Sequence, residues 1–362
     1  MAVLNALTTT TSLTNTIKSY YDRVILETLD PSLVYYQFGM KKPLPKGEGT
    51  SVVWNRPLKL SLGLILSEGT PTSIGHALST AKISAVIRQY GGFTPISDLV
   101  DMTSIADVMV MAAQRLGAQA GQTIERVIIN ENFITFLPTT GNSAHHFFKT
   151  GSGVEEVWGS VSGVSTVAFG SPISTVSSGA TLAVSDIRHA VYSLKSMAVT
   201  PYEGNDYVAI VPTESAEDIA GDSTWIGFHQ YTTIGVDNLY RGEIGKVYGC
   251  RVVETPNGPA VKAFGLIYSS TTSGVAYGTV VMGKGFYGVT ELDGGIKTYI
   301  SQGATKSDPL NQTTTYGWKA SFATKLLNAS CGAVIWAGSN DSITAFAESA
   351  SSGLRWEAPG SY

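Results

Sequence analysis

Between residues 97 and 130 the apolar side chains Ile105, Met109, Ala112, Leu116, Ala120 and Val127 recur at steps of three, four or seven. Asp107, Gln114, Gln122 and Glu125 fall on the opposite arc, so the pattern predicts one long helix with a single buried face. Asp98, Asp101, Thr103 and Ser104 crowd its start, where short oxygen-bearing side chains cap free amides and acids suit the dipole. Running over about 101–130, with a span from Thr103 of roughly 40 Å, it would exceed twice the length of an ordinary helix and serve as a spine. Gly117 and Gly121, one turn apart within it, each cost about 1 kcal/mol against alanine unless another backbone packs close there.

Ahead of the spine the period changes from helical spacing to two. Residues 50–56 and 81–90 read as strands, the second alternating Lys82, Ser84, Val86 and Arg88 against Ile83, Ala85, Ile87 and Gln89, which predicts a hairpin. Its connection, residues 57–80, carries Leu58, Leu60, Leu62, Leu64, Ile65 and Leu66 with Gly63, Gly69 and Gly75. Hairpin loops ordinarily have about 2 to 5 residues. An apolar loop of this length either folds back on its own domain or is a surface that a partner covers. Residues 1–45 open on a threonine tract and continue into an amphipathic segment over 20–29, predicting an arm with one helix; Pro43 and Pro45 then interrupt regular structure.

Beyond the spine, residues 133–181 are rich in Ser, Gly and Thr, with short apolar islands that read as short strands and loops. Residues 185–198 form a second amphipathic helix, with Ile187, Ala190, Val191, Leu194, Met197 and Ala198 on one face and Pro201 beyond its end. Strands over 207–211, 247–255, 261–268 and 275–282 and a helix over 213–220 complete an α+β lobe. Strands near 299–300, 318–322 and 333–336 close the chain, with 324–328 helical or extended, and the tail from 349 reads as loose.

With 362 residues, 43% of them hydrophobic, the chain is long enough for roughly two domains and a sizeable core. Charged residues make up only 14% and the net charge is −4, against about 25% charged in typical soluble domains. No concentrated basic face is visible, which argues against sequence-specific nucleic-acid recognition. The 39 glycines exceed the usual share of roughly 7%, fitting a chain of turns, sheets and packed interfaces. Cys250 and Cys331 lie far apart without metal-type spacing and read as buried free thiols. Residues 1–13 lack a charged, compactly apolar leader, and no run reaches the roughly 18 apolar residues of a membrane helix, so synthesis in the cytoplasm is expected.

Candidate chemistry is sparse. Gly283, Gly285 and Gly288 fit G-x-G-x-x-G after a strand, but the β-branched residues and the Gly-Gly that follow oppose the helix a dinucleotide site needs. His145 and His146 are adjacent, so they diverge, and read as a surface loop. Glu155 and Glu156, neighbours on a strand, point to opposite faces. With no nucleophile elbow, P-loop or zinc-protease motif, no enzymatic activity, cofactor or metal site is expected.

Two stretches carry more. Leu239, Tyr240, Arg241, Gly242, Glu243, Ile244 and Gly245 lead through Gly249 into Arg251, Val252, Val253 and Glu254; Asp308, Pro309, Leu310, Asn311 and Gln312 lead into Gly317, Trp318 and Lys319. Both resemble signature segments of the N4-type tailed-bacteriophage major capsid proteins, and the order of arm, long loop, spine, lobe and returning strands agrees over roughly residues 1–345. The resemblance implies the α+β fold shared by tailed-phage and herpesvirus shells. It divides the chain into an N-terminal arm (1–45), an extended β-hairpin loop (46–96), a peripheral domain (97–182 and 300–348), an axial domain (183–299) and a tail (349–362). Residues 133–182 match nothing in the pattern and read as an insertion exposed outside the shell.

The function implied is a virion structural protein, synthesised and assembled in the host cytoplasm as hexamers and pentamers of an icosahedral shell around double-stranded DNA. Its partners would be copies of itself, portal, scaffolding and decoration proteins, and packaged DNA in non-specific contact, with no membrane. Trp54, Leu58, Leu60, Leu62, Leu64, Ile65 and Leu66 would make the loop contacts, and Arg241 with Glu243 would either bridge subunits near the capsomer axis or form a surface pair worth under about 1 kcal/mol. A shell subunit needs projecting apolar arms, few charges to desolvate and flexible hinges, which this composition supplies. An encapsulin-type compartment and a β-rich adhesin or fibre are the alternatives.

Overall fold

Apolar runs flanked by turn residues build the centre of the molecule. In the computed structural model, the described residues are 33–43, 50–63, 75–104, 108–134, 145–150, 153–157, 181–202, 204–229, 243–262, 275–290, 296–301, 309–310 and 312–338. The chain order begins α1 (Val34–Phe38), β1 (Met40–Lys42), β2 (Ser51–Pro57), β3 (Thr80–Val86), β4 (Arg88–Ser97), α2 (Asp98–Thr103), α3 (Val108–Ile129) and a π-turn (Asn130–Ile134). It continues with β5 (His145–Thr150), β6 (Gly153–Val157), α4 (Val184–Ser196), β7 (Tyr207–Pro212), α5 (Thr213–Ala220), α6 (Ser223–His229), β8 (Glu243–Val247), β9 (Cys250–Thr255) and β10 (Ala260–Lys262). β11 (Val275–Met282), β12 (Tyr287–Thr290), β13 (Lys297–Ser301), β14 (Thr313–Phe322), β15 (Thr324–Leu326) and β16 (Gly332–Ala337) complete it.

The largest sheet runs β6-β5-β16-β11-β7-β9-β8, with β10 paired to β11. Every residue of β7 and of β16 is buried, the mark of a strand covered on both faces. Ala209, Val211, Val281 and Ile335 pack with Ile187, Ala190, Val191 and Leu194 of α4. The alternate residues Val208, Ile210, Val280, Met282, Val334 and Trp336 join Ile124 and Ile128 of α3 in the second core. Two layers of helix thus enclose one sheet. β16 pairs antiparallel with β11 and parallel with β5. The expected division at 299/300 therefore cuts through this sheet, and strands 145–150 and 153–157, assigned to the peripheral part, extend its edge. His145 and His146 begin β5 instead of lying on a surface loop.

The spine is interrupted. Ser97 Oγ accepts the Val100 amide to open α2, Thr103 Oγ1 bonds back to the Leu99 carbonyl at 2.7 Å, and Ser104 turns extended at φ −78°, ψ 138°. The Thr and Ser expected to start one helix therefore end a short first one, because their hydroxyls compete for backbone partners. α3 is 22 residues, about 33 Å. Its buried face holds Ala113, Leu116, Ala120, Ile124, Val127 and Ile128, with Met109 and Ala112 half-buried at its start; Ile105 lies outside the described residues. Beyond it the π-turn carries Phe133 inward, 1% exposed, where irregular short strands were expected.

Against α3 packs a second sheet, β13-β14-β4. At Gly92 the approach is close enough that an added Cβ would stand 2.6 Å from Gln119 Oε1; Trp318 Nε1 donates to that same oxygen at 3.2 Å. A third sheet, β1-β12-β15, and the β2-β3 hairpin complete the architecture. The strand expected over 247–255 is two strands joined by a turn at Tyr248 (φ 51°) and Gly249 (φ 75°). Ala198, expected on the buried face of α4, is exposed and left-handed at φ 54°, just past the helix end. Cys250 is buried, whereas Cys331, expected to be buried, is half-buried; both are free.

Candidate functional site

The hairpin has an anchored base and an uncovered reach. β2 and β3 pair from Ser51↔Val86 to Pro57↔Thr80, and the Leu58 amide donating to Ser79 O at 3.0 Å carries the ladder one step further. At the base, Val52, Trp54 and Ala85 form a small core with Ala323 and Leu327. Arg56 Nη1 donates to Asn328 Oδ1 at 2.7 Å, and Lys42 Nζ donates to the Val53 carbonyl. Beyond Pro57 the pattern reverses: Leu58, Leu60, Leu62 and Leu78 are 41%, 51%, 91% and 83% exposed. Leu64, Ile65 and Leu66 lie outside the described residues.

Trp54 is a correction. Expected among the outward contact residues, it is 5% exposed and packed in its own subunit, because β2 alternates and its even positions face β15. An added Cβ on Gly288 would meet its indole at 2.7 Å. Gly288→Ala is expected to destabilise the subunit by about 1–3 kcal/mol through overpacking, and Trp54→Phe to recover part of that loss. Urea denaturation of both single variants and the double measures the coupling, expected to exceed about 0.5 kcal/mol.

A buried carboxyl group ties the segment before the hairpin to the spine. Glu125, placed by periodicity on the polar arc, is fully buried. It accepts the Tyr35 amide at 2.9 Å and the Tyr36 amide at 3.0 Å. These amides belong to the first turn of α1, where the helix itself supplies no acceptor, and the N-cap residue Leu33 has no side-chain oxygen to offer. The Tyr287 hydroxyl donates to Tyr35 O, and Phe133 packs its ring on both Tyr35 and Tyr287. Burial pushes the Glu125 carboxyl up to about 8, against the opposing pull of the two amides. A signal existed: its i±4 neighbours are Gly121 and Ile129, not polar residues.

The two signature segments lie apart. Glu243, Ile244 and Gly245 enter β8, whose register against β9 breaks at a bulge between Glu243 and Gly245. Gly249 occupies the turn, and Arg251 and Glu254 are half-buried on β9; Arg241 and Gly242 fall outside the described residues. Pro309 and Leu310 form a turn, Leu310 being 76% exposed. Asp308 and Asn311 lie outside the described residues, Trp318 is buried against α3, and Lys319 emerges on the opposite face of β14. Chain passes from Gly283 through Gly285 straight into β12, with no helix opening there. Among the described residues no group of three or more His, Cys, Asp or Glu converges as a metal site, and no helix is long and apolar enough to cross a membrane.

A groove of about 400 Å³ lies between α3 and β4, with Ile96, Val108, Met111 and Leu116 on its apolar wall and Thr94, Arg115 and Gln119 among its polar lining.

No protein-family model matches the chain, and no curated protein sequence matches it. Solved structures do. The capsid of Ralstonia phage GP4 is 14% identical with a TM-score of 0.61, over 84% of this chain and 88% of that one. The cyanophage Pam1 capsid is 16% identical with a TM-score of 0.56, over 82% and 87%. The acidic stable capsid of Helicobacter pylori bacteriophage KHP30 is 9% identical with a TM-score of 0.58, over 84% and 91%. At these identities the similarity shows the fold: this chain has the α+β fold of phage capsid proteins over most of its length.

Proposed function

We propose that this chain is a major capsid protein that assembles with its own copies, as hexamers and pentamers, into an icosahedral shell around double-stranded DNA. The carrying observation is the hairpin, whose base is locked into its own subunit while Leu58, Leu60, Leu62 and Leu78 stand in solvent. A lone subunit gains nothing from that exposure; burying such side chains against a neighbour contributes about 1.5–3 kcal/mol each. The groove between α3 and β4, whose wall includes Ile96, Val108, Met111 and Leu116 beside Thr94, Arg115 and Gln119, is the seat this reading assigns to those leucines on the next copy.

The signature segments around Gly242 and Pro309 support placement with the N4-type capsid proteins. On that assignment the hairpin is the extended loop, α3 with β4, β13 and β14 the peripheral part, and the large sheet with α4 the axial part. Portal, scaffolding and decoration proteins would be its further partners in the virion, and its role is structural, not enzymatic. Electron microscopy of the purified protein tests the class: closed shells support it, and a protein that stays monomeric under all assembly conditions contradicts it. Nuclease-resistant DNA inside particles from infected cells separates a virion shell from an enzyme-enclosing compartment.

A further inference from the structure

One face of the β13-β14-β4 sheet lies on α3 and the other is open. Strand alternation turns Tyr316, Trp318 and Ile96 inward, and Lys297, Tyr299, Lys319 and Phe93 outward. The register aligns these outward residues in rows: Lys297 opposite Lys319, then Tyr299, Gly317 and Phe93 side by side. The three strands contain not one acidic residue; Lys297 and Lys319 are the basic residues on the open face, while Arg88 of β4 pairs with Glu131 at 3.4 Å. Like charges directly opposite one another destabilise an antiparallel pair, and among the described residues no carboxylate pairs with either lysine. In the neighbouring row Tyr299 is 56% and Phe93 73% exposed. Gly317 between them keeps the trough open, since a Cβ there would stand 3.1 Å from that of Phe93.

The geometry points to this sheet face as a contact site for the phosphodiester backbone of nucleic acid, with Lys297 and Lys319 converging on a phosphate and Tyr299 and Phe93 flanking the trough beside it. Adjacent strands lie about 4.8 Å apart, so two ammonium groups on opposite residues reach one phosphate. Lysines alone suffice for a duplex, whose attachment scales with the phosphates neutralised; an aromatic row on an open sheet also takes unstacked bases of a single strand. The inference rests on the shell reading only for the source of the polymer, since the contact belongs to the individual subunit.

The test titrates full-length, unassembled subunits with a fluorescent oligothymidine and a duplex, each about 20 nucleotides long, over a range of salt. Both are expected to bind, and Lys297→Ser with Lys319→Ser is expected to weaken both about tenfold at low salt. Because the two lysines share one phosphate, the same variant should lower the log–log salt slope by roughly 0.7 for the single strand and 0.9 for the duplex. Tyr299→Ala should weaken the single strand several-fold and spare the duplex, while Lys82→Ser, on the exposed hairpin, leaves both within about twofold. Melting of the double lysine variant should be no lower than wild type, because a repulsive pair is relieved. Lysine-dependent binding of the duplex alone supports the site and identifies its source. Unchanged slopes in the double variant, an equal loss in Lys82→Ser, or intact nucleic-acid binding with lost shell formation would each overturn it, the last making the face a subunit contact. Shells of the wild-type protein are scored separately by microscopy, so their absence there counts against the shell proposal, whereas shells lost only in the double lysine variant with binding intact count against this one.

Discussion

Replacing Leu58, Leu60, Leu62 and Leu78 together by serine leaves a folded, soluble subunit that builds no shells. The four side chains are 41–91% exposed, so they add little to the subunit's own core, and a change in stability below about 1 kcal/mol is expected from surface positions. The hairpin base is untouched, with Val52, Trp54 and Ala85 still on Ala323 and Leu327. In assembly the same substitutions remove roughly 5 kcal/mol or more of burial per subunit, even after allowing for partial contact in the free chain. Every copy in a closed shell repeats that loss, so assembly fails outright. Circular dichroism and melting report the fold, and light scattering with electron microscopy reports the shell. Normal particles from this variant contradict the role assigned to the hairpin.

The second large effect is a stability that falls as pH rises, traced to Glu125. Its folded carboxyl titrates near 8, raised by burial from an ordinary 4.5. Between those values the unfolded chain has released this proton and the folded chain keeps it. The folded state therefore binds the extra proton, and stability declines by about 1.4 kcal/mol per pH unit across the window, levelling off above 8. The whole effect is a few kcal/mol, fully favourable below about 4.5 relative to high pH. Glu125→Gln removes the titration but turns an NH2 group towards one of the Tyr35 and Tyr36 amides, which costs about 1–3 kcal/mol. Urea midpoints of unassembled subunits from pH 5 to 8 should thus show the wild type ahead at the acid end and the difference shrinking or inverting towards the alkaline end. A difference between wild type and the Glu125→Gln variant that stays constant with pH contradicts this account of the junction.

What the sequence reveals and what it hides divide along the range of the interactions involved. The hairpin strands, α4 and the helix 213–220 are legible because alternation, helical spacing and Pro201 are local signals. The break at Ser104 is ambiguous, since the same Thr and Ser chemistry both starts and ends helices. Periodicity misplaces Glu125 because one glutamate on a wheel shows nothing of the two amides of α1, some ninety positions earlier, that need it. Trp54 reads as an outward contact because its partners, Gly288 and the Ala323–Leu327 segment, are remote in the chain. The parallel pairing of β16 with β5 is hidden for the same reason: strands as uniformly apolar as β16 carry no record of their neighbours. Of the residues proposed for assembly, Leu58, Leu60 and Leu62 are readable as an apolar run without a core, Leu78 is not part of that run, and the sheet face with Lys297 and Lys319 needs the register to appear at all.

The most direct test of a limb that finishes its folding on another copy is a side-chain-resolution electron-microscopy reconstruction of assembled particles. The expected map shows Leu58, Leu60 and Leu62 buried against an adjacent subunit, beside its α3 groove, with Trp54 still seated in its own. Particles in which those leucines remain in solvent, or turn back onto the subunit that carries them, would contradict the account.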